Sequence, residues 1–365
     1  MSATLLGTTK PLVEEFELAL LDLDGVCYSG ADPVVHATDS VMAAKGQGLR
    51  TCFVTNNASR APQTVADKLA DNDIASRTPA QVVAKLAGFG IEADEQQIYT
   101  AAMDAVALLA EHVPAPATVL VVGGAGVEQA LTEAGYTTTR SALDNPAAVV
   151  QGYDPSVDWA AMSEAAYAIT NGALHVATNL DSTLPTERGF ALGNGSLVAA
   201  VVHATERQPL AAGKPFAGIY MRAIARSGGG KAIAVGDRLN TDHAGARQSS
   251  LPSLHVLTGV ASARDVLLAP PQYRPTFLHT DLRGLLEPQP QPQRTAAGWQ
   301  VGDAVAKVEN GAVTLSFDGK NVELGGQSVI LSLNAYRAAA VAAWDLADQG
   351  QTLINLPDIT VAETR

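Results

Sequence analysis

The stretch Phe16-Glu17-Leu18-Ala19-Leu20-Leu21-Asp22-Leu23-Asp24-Gly25-Val26 decides the fold. Its apolar first half reads as a strand buried on both faces. The strand ends in two carboxylates one residue apart, followed by a glycine. Alternation along a straight strand points Asp22 and Asp24 to one side, and Gly25 permits a sharp turn or a close ligand approach. Two carboxylates in different environments can divide the work of ionised nucleophile and general acid/base. Taken alone, an Asp-x-Asp-Gly at a strand end is more often a turn cap, so the rest of the chain has to decide.

Working outward, a helix pattern from about Pro33 to Gly46 leads to a second apolar strand, Thr51-Cys52-Phe53-Val54-Thr55. The pattern recurs at Ile233-Ala234-Val235-Gly236-Asp237 and at Ser253-Leu254-His255-Val256-Leu257. Strands alternating with helices predict an α/β, Rossmann-like parallel-sheet core with ligands at the carboxyl ends of the strands. The long middle segment has strands of its own, Thr118 to Val122 and Ala168-Ile169-Thr170, and reads as a second α/β unit inserted into the first. The expected organisation is a core at 1–103 and 209–283, interrupted by an inserted domain at 104–208. A Pro/Gln linker at 284–296 and a small α+β module at 297–365 follow.

The linker rests on Glu287-Pro288-Gln289-Pro290-Gln291-Pro292-Gln293, whose alternating prolines favour an extended chain. In the module, Asp303 to Glu309 and Ala312 to Phe317 flank Asn310-Gly311, a strong hairpin signal. Asp318-Gly319 can turn a third strand, and Ser332 to Leu346 reads as an amphipathic helix. Residues 58–74 also align with 75–91 at an offset of 17, with nine identities including the two Ala-Ser-Arg triplets. Each copy reads as a Ser cap region, an early Pro and an amphipathic helix, hence a tandem duplication of one helix.

Two later strand ends add chemistry. Val54-Thr55-Asn56-Asn57 closes its strand with a hydroxyl and then amides, suited to hydrogen-bonding an oxyanion. Gly236-Asp237-Arg238-Leu239-Asn240-Thr241-Asp242 closes another with two more carboxylates. If these strands are neighbours, four carboxylates converge without enough local cation, which implies a hard divalent ion such as Mg²⁺. Lys214, in Gly213-Lys214-Pro215 just before a helix starting near Phe216, can reach a phosphate.

Composition sets outer bounds. With 24 basic and 37 acidic residues the formal charge is −13, which argues against a general affinity for nucleic acid or anionic membranes. Only Cys27 and Cys52 are present, without a disulfide framework or metal-ligand spacing. The chain shows neither a secretory leader nor an apolar run long enough to span a bilayer, so a cytoplasmic protein is expected.

In these motifs the sequence resembles the haloacid dehalogenase superfamily of phosphohydrolases, in the capped subclass containing NagD and the p-nitrophenylphosphatase-like enzymes. The distinguishing residues are Asp22-Leu23-Asp24-Gly25-Val26, Phe53-Val54-Thr55-Asn56-Asn57, Ala177-Thr178-Asn179-Leu180-Asp181, Pro185-Thr186-Glu187-Arg188-Gly189, Gly213-Lys214-Pro215 and the Gly236–Asp242 run. The likeness covers about residues 16–280. Arrangement and C-terminal extension are most similar to actinobacterial glycerol-3-phosphate phosphatases. The resemblance implies that Asp22 attacks phosphorus and Asp24 acts as acid and then base. It implies that Thr55, Asn56 and Lys214 hold the phosphoryl oxygens. Mg²⁺ would be bound by Asp22, Asp24 through its carbonyl, and Asp237, with Asp242 behind them. The inserted segment becomes a cap, in which Asn179, Asp181 and Arg188 are candidates to meet the substrate.

The expectation is a Mg²⁺-dependent phosphomonoesterase for a small phosphorylated metabolite, glycerol 3-phosphate first. Phosphoglycolate, nucleoside monophosphates and sugar phosphates are the alternatives, and a non-catalytic phosphometabolite-binding protein is the alternative from another class. Homo-oligomerisation is left open.

Overall fold

The strand Leu18–Leu21 is buried at all four positions, as a strand covered on both faces requires. In the computed structural model, which describes residues 5–56, 78–186, 188–309, 311–325, 328–353 and 356–362, packing divides the chain into two units. One comprises Met1–Cys52, Phe89–Ile91 and Gly228–Arg365; the other comprises Phe53–Gly88 and Glu92–Ser227. The Arg50–Thr55 strand starts in the first and ends in the second.

In the first unit Leu18–Leu21 pairs in parallel with Ala232–Gly236, with Leu21 opposite Val235. Ala232–Gly236 pairs with Ser253–Val256, and that strand with Phe277–His279. Arg50 donates its N–H to the Glu17 carbonyl at 3.1 Å, which sets the start of the next strand. These short Val-, Ile- and Leu-rich strands are the parallel core expected from the sequence. The helix expected from about Pro33 begins at Ala37 and runs to Gly46.

The C-terminal part of this unit is a five-stranded antiparallel sheet in sequence order from Gln293–Thr295 to Lys320–Leu324. Glu309 pairs with Ala312, and Phe317 with Lys320, so the two expected turns fall where the sequence put them. Asn310 itself lies outside the described residues. Ser332 caps the helix Leu333–Asp348 by accepting the Ala335 N–H, and twelve of its sixteen residues are buried. A helix apolar all round has to be covered all round. The helix packs on the antiparallel sheet, and its Ala335, Ala339 and Ala342 belong to one core cluster with Val301, Val313 and Leu315. On another flank Trp344 Nε1 donates to the Val266 carbonyl at 2.8 Å, and Arg337 Nε donates to that of Leu278 at 3.0 Å. The Pro/Gln stretch is docked as well: Gln289 is buried and accepts from Arg337 Nη2 at 2.8 Å.

In the second unit Phe53–Thr55 pairs with Ile98–Thr100 in parallel. A five-stranded parallel sheet follows in the order Leu210–Ala211, Leu174–Ala177, Ala148–Gln151, Thr118–Val122, Thr137–Thr139. Val119, Val121 and Val150 pack on one face with Ala105 and Leu109, while Leu120, Val122 and Val149 pack on the other with Ala165 and Ile169. The expected strand Ala168-Ile169-Thr170 is a correction. These residues end the helix Trp159–Thr170, which Asp158 caps by accepting the Ala161 N–H. A three-residue apolar run has no period of its own, and the strand comes one turn later at Leu174–Ala177. Of the proposed duplication, residues 58–74 lie outside the described residues. The second copy forms the helix Pro79–Gly88, with Val82 and Leu86 buried. Among the described residues no helix is long and apolar enough to cross a membrane.

Trp344 gives the test of how far the C-terminal helix supports the core. Trp344→Ala removes a side chain 2% exposed and leaves the Val266 carbonyl without its donor. The expected loss is about 3–5 kcal/mol of unfolding free energy, read from urea denaturation. A loss below about 1 kcal/mol would mean the helix is dispensable to the core.

Candidate active site

Asp22 follows the last residue of its strand, and its N–H donates to Val235 O at 2.9 Å. Asp237 follows Ala232–Gly236. Because the two strands are parallel and in register, both carboxylates emerge at the same edge of the sheet. Asp242 comes from the wide helical turn Leu239–His243 that follows, where its Oδ2 accepts the Arg238 N–H at 3.1 Å. One oxygen from each of Asp22, Asp237 and Asp242 lies within 4.8 Å of the others, and all three residues are buried. Asp24 is half-buried in the turn beyond. That turn is closed by the Gly25 N–H on Tyr28 O at 2.7 Å and by Thr258 Oγ1 donating to Gly25 O at 2.6 Å.

The protein packs tightly around Asp237. A Cβ on Gly25, whose φ is +84°, would stand 2.5 Å from Asp237 Oδ2, and one on Gly259 would stand closer still. Asp237 Oδ2 accepts the Val260 N–H at 2.6 Å. Asp237 Oδ1 is buried with no hydrogen-bond partner among the described residues. Burial above all, then the carboxylates of Asp242 and Asp22, push the Asp237 carboxyl up to about 8, against the pull of the Val260 amide and Arg238. Three converging buried carboxylates, one with an unsatisfied oxygen, make a donor set that fits a hard divalent cation. Cys27 adds nothing reactive: burial and then the charges of Asp22 and Asp24 push its thiol up, so it stays protonated.

The phosphate-side candidates assemble in the second unit. Thr55 is buried at the end of its strand, opposite Thr100. The Asn56 carboxamide grips the Lys214 peptide on both sides. Its Oδ1 accepts the Lys214 N–H at 2.6 Å, and its Nδ2 donates to Lys214 O at 2.8 Å and to Asp181 Oδ2 at 3.1 Å. Lys214 is 3% exposed, and its Nζ donates to Val54 O at 3.2 Å. Asn179 Nδ2 reaches Asn56 O at 3.2 Å, and Asn194 Nδ2 in turn reaches Asn179 O at 2.8 Å. Arg188 is exposed in the turn between Thr183–Thr186 and Gly189–Leu192, and Glu187 lies outside the described residues. Thus Asp22, Asp237 and Asp242 come together in one unit, with Asp24 in the turn after Asp22. Thr55, Asn56, Lys214, Asn179 and Asp181 come together in the other.

Two features escaped the sequence reading. Val260 supplies an amide to Asp237 from a loop with no motif of its own. Asp104, 0% exposed, accepts the Gly213 N–H at 2.9 Å beside Lys214. Its signal was available: a lone acid on the i, i+3, i+4 stripe that Ala101 and Ala105 set on their helix.

Comparison with known proteins gives the family. The haloacid dehalogenase-like hydrolase family matches residues 19–76 and 72–137, and a HAD-hydrolase-like family matches 211–285. The chain is 39% identical over 342 residues to a D-glycerol 3-phosphate phosphatase of Mycobacterium tuberculosis, covering 92% of this chain and 88% of that protein. It is 35% identical over 243 residues to the 5′-nucleotidase YutF of Bacillus subtilis, covering 66% and 87%. Among solved structures, glycerol phosphate phosphatase Rv1692 from Mycobacterium tuberculosis in complex with magnesium is similar with a TM-score of 0.77 at 36% identity. That match covers 98% of this chain and 97% of the other. A thermostable NPPase from Geobacillus stearothermophilus is similar with a TM-score of 0.62 at 29% identity, over 73% of this chain and 96% of its own. The chain belongs to the haloacid dehalogenase-like hydrolases, among the capped phosphatases related to NagD and p-nitrophenylphosphatase.

Asp237 supplies a pH test. Between its ordinary value near 3.8 and about 8, the metal-free folded chain keeps a proton that the unfolded chain has lost. Its contribution to stability is therefore complete below about 4 and is lost as pH rises towards 8. Asn cannot ionise, so in a chelator D237N should gain melting temperature relative to the wild type between pH 5 and 8. Added divalent cation should raise the wild-type melting temperature more at pH 8 than at pH 5 and leave D237N unmoved. Parallel melting curves for the two proteins across this range would refute the assignment.

Proposed function

We propose that this chain hydrolyses a small phosphomonoester, glycerol 3-phosphate, with Mg²⁺ as its cation and a phosphoaspartyl intermediate on Asp22. The observation that carries the chemistry is the cluster of Asp22, Asp237 and Asp242 carboxylates at one sheet edge, with Asp237 Oδ1 unsatisfied. The substrate is supported by likeness to a glycerol 3-phosphate phosphatase along nearly the whole chain, C-terminal module included.

In this reading the Asp22 carboxylate attacks phosphorus in line, a P–O bond forms to the enzyme, and the bond to the leaving alkoxide breaks. Asp24, protonated at the start, gives its proton to that alkoxide. Its carboxylate then takes a proton from the water that attacks the phosphoaspartate, so that phosphate leaves and Asp22 returns to its starting state. Thr55 and the backbone around Asn56 donate to the equatorial oxygens, and Lys214 adds a positive charge where negative charge is spread in the transition state. Asp22, the Asp24 carbonyl and Asp237 would hold Mg²⁺, with Asp242 orienting them. The bound cation would neutralise the crowded carboxylates and draw charge from the phosphoryl oxygens. Residues 104–208 act as the cap, whose Asn179, Asp181 and Arg188 border the leaving group, and 297–365 act as a packed extension.

The nucleophile and the acid have separate signatures. Asp22→Asn should abolish turnover, a fall of at least about a thousandfold, because a carboxamide in place of the attacking carboxylate cannot form the intermediate. Asp24→Asn should cost about a hundredfold to ten-thousandfold and should hurt least with p-nitrophenyl phosphate, whose leaving group needs no proton. Undiminished turnover in D22N would instead favour a different nucleophile. For the substrate, phosphate release with Mg²⁺ should be fastest per KM on glycerol 3-phosphate within a panel containing phosphoglycolate, nucleoside monophosphates and sugar phosphates. A nucleoside monophosphate at the top of that panel would favour the 5′-nucleotidase alternative and leave the phosphatase reading standing.

A further inference from the structure

Lys214 presents its ammonium group from a turn with little freedom. Gly213 has φ +74°, and a Cβ there would lie 2.6 Å from Thr178 O and 2.7 Å from Asn56 Oδ1. Asn56 accounts for the N–H and C=O of Lys214 itself. The remaining amide of the turn, that of Gly213, goes to Asp104 Oδ2 at 2.9 Å. We propose that Asp104 is a positioning residue for Lys214, acting through the Gly213 amide and held in place by Arg222.

Asp104 is on the helix Ala101–Ala110, and Arg222 is on the helix Ala217–Arg226 that starts just after Lys214-Pro215. Arg222 Nη1 donates to Asp104 Oδ1 at 2.8 Å, and Nη2 donates to Glu111 at 2.5 Å. One carboxylate thus serves two donors from segments on either side of the Lys214 turn, with one oxygen for each. An ionised acceptor binds a backbone N–H about twice as strongly as a neutral one. Arg222 stays a quarter exposed, whereas Asp104 is fully covered. If the pair served stability alone, the burial of Asp104 would be a poor arrangement, since desolvating a carboxylate offsets most of what its partner returns. What burial does achieve is a fixed oxygen on the Gly213 amide. With Asn56 it fixes three backbone groups of the turn, and therefore the origin from which the Lys214 side chain extends.

This inference rests on the reading that Lys214 holds phosphate, and the experiment separates the two. Orthophosphate affinity is measured by calorimetry on the Mg²⁺-loaded enzyme for the wild type, D104A, K214A and D104A/K214A. K214A should weaken orthophosphate by itself. D104A should weaken it about tenfold in the wild-type background and by less than about twofold once Lys214 is gone, because the two act as a unit. The Mg²⁺ concentration for half-maximal activation should not move in D104A. If D104A does not fold, the D104A/R222L variant removes the leftover cation together with its partner and takes its place in the same cycle. Equal losses in both backgrounds, or a lowered melting temperature with orthophosphate affinity intact, would overturn the positioning role. Intact affinity in K214A would overturn the phosphate role of Lys214 and this inference with it.

Discussion

Three carboxylates held side by side and out of water are the constraint on which the first unit depends. Two unit charges about 4 Å apart at an effective dielectric of 20 repel by about 4 kcal/mol, and Asp22, Asp237 and Asp242 offer oxygens within 4.8 Å of one another. Such a cluster persists only if the backbone carrying it cannot relax. The parallel register of Leu18–Leu21 against Ala232–Gly236 prevents one escape, since Asp22 is tied to Val235 by its own amide. Gly25 and Gly259 prevent another by bringing backbone against the Asp237 carboxyl where no side chain fits. The Val260 amide removes part of the cost but leaves the second Asp237 oxygen bare. Packing thus builds a site that a divalent cation completes, and that a proton on Asp237 relieves when the cation is absent.

The second unit meets a different demand, which is to fix the backbone from which the buried Lys214 side chain extends. The Lys214 backbone is fixed by neutral Asn56, and its ammonium donates to the Val54 carbonyl. Beside the Lys214 turn, Asp104 accepts the Gly213 amide and is matched by Arg222. The charge of Asp104 is thus used for construction, on a backbone amide and a guanidinium.

Much of this was legible in the sequence because the catalytic motifs of a parallel sheet stand at strand ends. An apolar run followed abruptly by Asp, Thr-Asn or Gly-Asp marks both the strand and the position where a side chain leaves it, as at Leu21-Asp22, Thr55-Asn56 and Gly236-Asp237. The turns at Gly311 and Asp318-Gly319 were equally local, since their backbone conformation needs particular residues. What stayed hidden was whatever depended on a partner distant in the chain. Ala168-Ile169-Thr170 carries no period to separate a helix end from a strand. The Leu333–Asp348 helix shows an amphipathic pattern, but only the fold supplies Val266 and Leu278 on its second side. Asn56 looked like an oxyanion donor until Lys214, 158 residues later, was found to occupy its carboxamide.

The formal charge of −13 looks ill-suited to an anionic substrate, and the arrangement of the charges resolves it. Solvent-exposed acids are screened over a Debye length of about 8 Å at physiological ionic strength. Their sum therefore governs solubility and the approach of a ligand more than its bound state. Buried groups are screened far less, so in the interior a few of them outweigh many outside. Three of the acids are withdrawn from the surface into a cluster that favours a divalent cation, and Asp104 is consumed in holding an amide and a guanidinium. In the proposed reaction the phosphate meets that cation, Lys214 and backbone donors. An acidic protein can thus present a positive interior, because burial decides which of its charges a bound anion feels.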